Sequence, residues 1–128
     1  MSRAHAHIGE TRYRVDLKAG HHALIGDEHP ELGGQDAGPA PYELLLAALG
    51  ACTSITLKMY AERKAWPLAG VDVGLLFTRE GDTSRIERTL TLEGDLDEAQ
   101  RARLADIAER TPVTLTLKAG VAIHTKLR

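Results

Sequence analysis

Hydrophobic and polar positions alternate near the start of the chain and then merge into an unbroken apolar run. In RYRVDLK, Tyr13, Val15 and Leu17 alternate with Arg12, Arg14, Asp16 and Lys18. That is the period of a half-buried strand with one wet face. Ala19-Gly20 is a turn signal, and HHALIG resumes as a partner strand. A shorter strand around Ala4 to Ile8 precedes them, turned at Gly9. Residues 27–40, DEHPELGGQDAGPA, form a polar loop with three Gly and two Pro. Loops that long inside a compact domain are often functional.

The chain then changes period. Pro41 suits the first helical position, where its fixed φ is pre-organised and its missing N–H is not needed. Glu43 falls in the first turn and Arg63 and Lys64 in the last, each complementing the helix dipole. Pro67 ends the run. From Leu44 to Leu57, LLLAALGACTSITL, no side carries a charge. A helix that is apolar all round is buried on every side. At roughly 1.5 Å rise per residue it is about 34 Å long, more than one small domain can surround. The pattern therefore predicts a second subunit over the remaining surface.

After the helix, Val71, Val73, Leu75 and Phe77 fall on one face of VDVGLLFTR, and Gly81-Asp82 marks a hairpin turn. In RIERTLTLE, Ile86, Leu90 and Leu92 share one face, while Glu87, Thr89, Thr91 and Glu93 share the other. Arg88 breaks the pattern by lying on the apolar face. Asp97 to Arg110 reads as a second helix, with Asp97 and Gln100 forming a capping box. Thr111-Pro112 opens a short third helix around Val113 to Lys118, Gly120 breaks it, and VAIHT reads as a last strand. Strands, long helix, hairpin, helix and strand make an α+β class with antiparallel sheets in one domain, residues 1–128.

Composition narrows the possibilities. The chain has 128 residues, 43% hydrophobic and 27% charged, with a net charge of −2, the profile of a soluble globular domain. No basic block argues for nucleic acid. The longest uncharged apolar run, 14 residues, is short of the ~20 that span a bilayer, and the N-terminus lacks the apolar core of a signal peptide. The expected location is cytoplasmic. One cysteine, Cys52, cannot form an internal disulfide, as suits a reducing compartment. His21 and His22 point to opposite faces of a strand, and His5 and His7 lack a third ligand, so neither a metal nor another cofactor is expected.

The stretch GGQDAGPAPYELLLAALGACTSITLKMYAERKAWPL resembles the central segment of the OsmC/Ohr family, the osmotically induced and organic hydroperoxide resistance proteins. The resemblance covers nearly the whole chain and is closest from Asp27 to Leu68. It implies the OsmC-like fold, built as an intertwined homodimer with the long helices in the middle. It also matches Cys52 to the cysteine that attacks peroxide. Against that stands a plain reading of Cys52 as a small hydrophobe in a buried helix. Family members commonly carry a second, resolving cysteine in a Cys-Pro-Val-His stretch. Here that stretch is Thr111-Pro112-Val113-Thr114, so both the cysteine and the histidine are absent.

Two further residues enter as candidates. The Ohr branch has a Pro-Glu pair whose acid orients an arginine toward the cysteine. Here Tyr42 intervenes, and Glu43 is either such an acid or a helix-dipole acid. Arg88 is the base placed on an apolar face, where it must meet an acid or a thiolate if buried, or snorkel at the sheet edge. A thiolate needs a neighbouring cation if burial is not to suppress it. The catalytic candidates are therefore Cys52, Glu43 and Arg88. The reading is a thiol-dependent peroxidase for organic hydroperoxides, resolved by an external thiol. The alternative is a non-catalytic dimer that binds an apolar or thiol-bearing small molecule.

Overall fold

The structure, a computed structural model, describes residues 1–128. The class is α+β, with two antiparallel sheets and three α-helices. The chain divides into two compact units, residues 1–47 and 48–128.

The first unit holds a three-stranded antiparallel sheet in the order β1-β2-β3. Its strands are β1 (Ala4–Ile8), β2 (Val15–Ala19) and β3 (His22–Gly26). β2 starts three residues later than the alternation alone suggests, because the Arg14 amide turns back onto the Thr11 carbonyl. Val15, Leu17 and Ala19 are half-buried while Asp16 and Lys18 are exposed, as the period-2 pattern requires. Val15, Leu17, Leu32, Pro41 and Leu44 border an open cleft of about 540 Å³.

The loop that follows β3 is organised by one buried carboxylate. Asp27 is 3% exposed. Its Oδ1 accepts the Glu28 N–H at 2.7 Å, and its Oδ2 accepts those of Ala37 at 3.0 Å and Gln35 at 3.3 Å. These amide bonds, led by Ala37, hold the Asp27 pKa below the ordinary carboxylate value. A short 3-10 turn at Pro30–Leu32 lies inside the loop.

Helix α1 runs Pro41–Arg63. The Glu43 side chain accepts the Ala40 N–H at 2.9 Å and so satisfies one donor that the helix start leaves free. Leu49, Thr53, Leu57 and Ala61 are buried at four-residue spacing, one line along the helix. The opposite side is open: Ile55 and Met59 are 55% and 59% exposed. By length and hydropathy α1 passes the test for a membrane span, yet its inner line packs into a protein core. Within this chain the helix is thus buried on one line, not on every side.

The second unit is built on that line. β4 (Leu68–Glu80) and β5 (Thr83–Gly94) form a hairpin. Gly81, at φ 59°, supplies the positive φ that its two-residue turn needs. α2 (Glu98–Ala108) starts at Asp97 with a complete capping box to Gln100, and α3 (Pro112–Ala119) follows after Thr111 as N-cap. Leu57, Ala61, Leu68, Leu96, Leu104 and Ala108 form the buried cluster. The strand expected at VAIHT is absent: residues 120–128 pair with no strand, and Ile123 is 85% exposed. The alternation there is strand-like, but a strand without a neighbour has no ladder to join.

Replacing Asp27 with Asn should free the loop. The variant keeps one acceptor but turns an NH₂ group toward backbone N–H donors. Hydrogen exchange at Gln35 and Ala37 should quicken at neutral pH. Because the folded pKa is depressed, the wild-type contribution is full above the unfolded value and fades as pH falls below about 4. Equal exchange in both proteins at pH 7 would sink this account.

Candidate active site

Cys52 lies on α1 next to the buried Thr53, at the border between the packed line and the open side. It is half-buried and free. The helix comes close to β4 here: a Cβ on Gly50 would stand 2.9 Å from Leu75 Cδ1. A side chain at this position would first meet that Leu75 methyl, which would have to move aside. Ser54, Ile55, Lys58, Met59 and Val71 line an open, mainly apolar depression of about 320 Å³ on the same unit.

Two groups address the sulfur. The Val113 N–H donates to Cys52 Sγ at 3.4 Å. The Thr56 hydroxyl stands 3.9 Å away, one turn further along α1. Val113 is the second residue of α3, where an amide has no partner inside its own helix. Pro112 before it has no N–H to offer. The positive end of α3 is therefore turned toward the sulfur, an arrangement that favours negative charge there.

Arg88 occupies a neighbouring position without donating to the sulfur. Its side chain is 11% exposed. Nη1 donates to Thr53 Oγ1 at 3.0 Å and Thr114 Oγ1 at 2.9 Å. Nη2 donates to the Ala108 carbonyl at 2.8 Å and lies 3.4 Å from Glu109 Oε2. The guanidinium thus caps the end of α2 and ties α1 to α3. Thr53 hands its own proton back to the Leu49 carbonyl at 2.7 Å. Glu109 also pairs with Lys118 at 2.9 Å, and that bond above all lowers its pKa. No buried side-chain polar atom is left without a hydrogen bond.

Of the three catalytic candidates, Cys52 and Arg88 therefore belong to one cluster through Thr53. Glu43 sits in the first unit, where Oε2 is 3.4 Å from His29 Nε2 and Oε1 caps the helix start. Thr111 is fully buried with its hydroxyl 2.6 Å from that of Thr114. Sequence reasoning missed the Val113 amide, Thr53, Thr56 and Thr114. Thr111-Pro112 did announce a helix start with a free amide beyond it. Nothing local said that Cys52, 61 residues away, would receive it. The structure groups no three His, Cys, Asp or Glu side chains that could hold a metal.

The Arg88 contacts make a stability prediction. Arg88→Met leaves the Ala108 carbonyl and two buried hydroxyls short of a donor, worth about 1–3 kcal/mol. Denaturant unfolding should show that loss as a lower midpoint with an unchanged slope. A midpoint equal to wild type would mean that the network carries no net stability.

The sequence profile described as OsmC-like protein matches residues 33–126. Solved structures share the architecture. An OsmC-like protein from Mycoplasma pneumoniae is 18% identical, with 92% of this chain and 87% of that one covered at a TM-score of 0.79. An organic hydroperoxide resistance protein OsmC from Legionella pneumophila is 22% identical, with 92% and 89% covered at 0.63. A Vibrio cholerae protein named for organic hydroperoxide resistance, with captopril bound in one of its active sites, is 18% identical, with 92% and 84% covered at 0.67. A search of curated protein sequences finds no match. The profile match spans most of the chain and includes Cys52, Arg88 and the α2–α3 junction, and on that ground the chain belongs to the OsmC-like protein family.

Proposed function

We propose that the chain is a thiol-dependent peroxidase that reduces organic hydroperoxides through Cys52. The observation that carries this reading is the half-open sulfur receiving the first free amide of α3. The names of the Legionella and Vibrio structures, both tied to organic hydroperoxide resistance, support it. The thiolate attacks the distal peroxide oxygen, the O–O bond breaks, and the leaving alkoxide takes a proton to become an alcohol. Cys52 is left as a sulfenic acid. Val113 N–H and Thr56 O–H steady the sulfur's charge before attack. The depression beside Ile55 and Met59 suits an apolar organic group. With Thr111 at the resolving position, an external thiol supplies the reducing electrons.

A non-catalytic dimer that binds a thiol-bearing small molecule is the second reading, favoured by Thr111 and by the captopril bound in the Vibrio structure. Turnover separates the two. Cumene hydroperoxide should be consumed in the presence of a dithiol, and Cys52→Ser should reduce the rate to background. Tight thiol binding without turnover would favour the second reading.

The protein acts, in this proposal, as a cytoplasmic homodimer. The chain exposes 9634 Å² of accessible surface, against about 6,700 Å² for a monomeric globular protein of its mass. An excess of roughly 3,000 Å² per chain, about 6,000 Å² for a pair, is the size of a large obligate interface. The uncharged outer side of α1 contributes to it. Light scattering without detergent should give twice the 13.9 kDa chain mass. A stable monomer at micromolar concentration would overturn the assembly.

A further inference from the structure

Cys52 Sγ and the Val113 nitrogen face each other at 3.4 Å across two helices. We propose that Cys52, once oxidised, closes onto this nitrogen as a cyclic sulfenamide, so that the Val113 amide does the work of a resolving group. The inference rests on the peroxidase reading, because the organic hydroperoxide supplies the sulfenic acid.

The step balances without a further oxidant. The Cys52 sulfenic acid S–O bond breaks and an S–N bond forms to Val113. The hydroxyl leaves with the amide proton as water, and the sulfur keeps its oxidation state. Such condensation with a backbone nitrogen is a known fate of sulfenic acids. An external thiol then attacks the sulfur, the S–N bond breaks, and the nitrogen recovers its proton. The mixed disulfide that results is cleared by a second thiol. The full cycle turns one hydroperoxide and two thiols into an alcohol, a disulfide and water.

Several independent features converge on this step. Most amides in a helix cannot give up their proton without losing a ladder bond. Val113, as the second residue of α3, has no such bond to lose. Its N–H already points at the sulfur, so the lone pair freed on proton loss lies along the same line. Arg88 Nη1 holds Thr53 at 3.0 Å and Thr114 at 2.9 Å, the residues that directly follow Cys52 and Val113. One guanidinium nitrogen thus fixes both sides of the bond to be made. No second thiol competes for the sulfur within the chain: Cys52 is the only cysteine, and the Thr111 hydroxyl is taken up by Thr114.

The test is a non-reducing peptide map after one equivalent of cumene hydroperoxide, without thiol. Trypsin should release Ala19–Lys58 joined to Thr111–Lys118. The joined species should be lighter by two hydrogens than the sum of its parts and should separate with dithiothreitol. A parallel sample with dimedone reads sulfenic acid. Complete dimedone labelling with no joined peptide, followed by sulfinic acid in excess peroxide, would overturn the inference and leave the peroxidase reading in place. Unmodified Cys52 in both samples would overturn both. Val113→Pro removes the amide proton and should abolish the join while raising dimedone labelling and sulfinic acid several-fold. Should that variant not fold, the wild-type map alone decides.

Discussion

A single buried guanidinium sets the geometry of the second unit. Arg88 comes from the middle of β5, where its strand neighbours on the same face are apolar. An unpaired charge in that position would be costly. Here it meets hydroxyls on α1 and α3 and the last carbonyl of α2, all within 3.0 Å. Each of the three helix segments offers it an acceptor, so none can shift without leaving a polar group bare. The cysteine sulfur is placed by this scaffold at second hand. Cys52 follows from Thr53, and the Val113 amide follows from Thr114.

This arrangement separates two tasks that one cation could have shared. The charge organises the helices, while neutral groups meet the sulfur. The Val113 N–H donates to it without a full positive charge, and the Thr56 hydroxyl stands 3.9 Å away. The helix terminus adds the partial charge of its aligned peptides. A side chain would have needed room and entropy to reach the same place. The backbone amide is already held there by α3 and by Pro112, whose fixed φ helps to set the first turn.

Much of the fold was legible in local pattern. Pro41 and Glu43 marked the start of α1, and Asp97 with Gln100 marked that of α2, because caps are decided by residues three apart. The alternation of β4 and β5 gave the hairpin, and Gly81-Asp82 its turn. The inward placing of Arg88 could also be read from strand period. Its partners could not, since Thr53, Ala108 and Thr114 reach it only through tertiary packing. The same holds for Val113, an apolar residue whose contribution comes from its main chain. VAIHT failed for the opposite reason: its period is right, but period describes a strand's faces and says nothing about its neighbours.

Asp27 has a consequence for how freely this chain can change. It holds the loop by reading only main-chain N–H groups, those of Glu28, Gln35 and Ala37. Those three side chains are not what the carboxylate recognises. The loop's path is therefore set by Asp27 together with its glycines: Gly33 has a positive φ, and Gly34 and Gly38 lie against the Glu28 and Ile25 carbonyls with no room for a side chain. Substitutions at exposed positions such as Glu31 and Gln35 can alter charge and bulk at the surface while the backbone keeps its course. The segment behaves as a fixed frame with exchangeable contents, a place where new specificity can be tried without refolding the sheet or the helix that it joins.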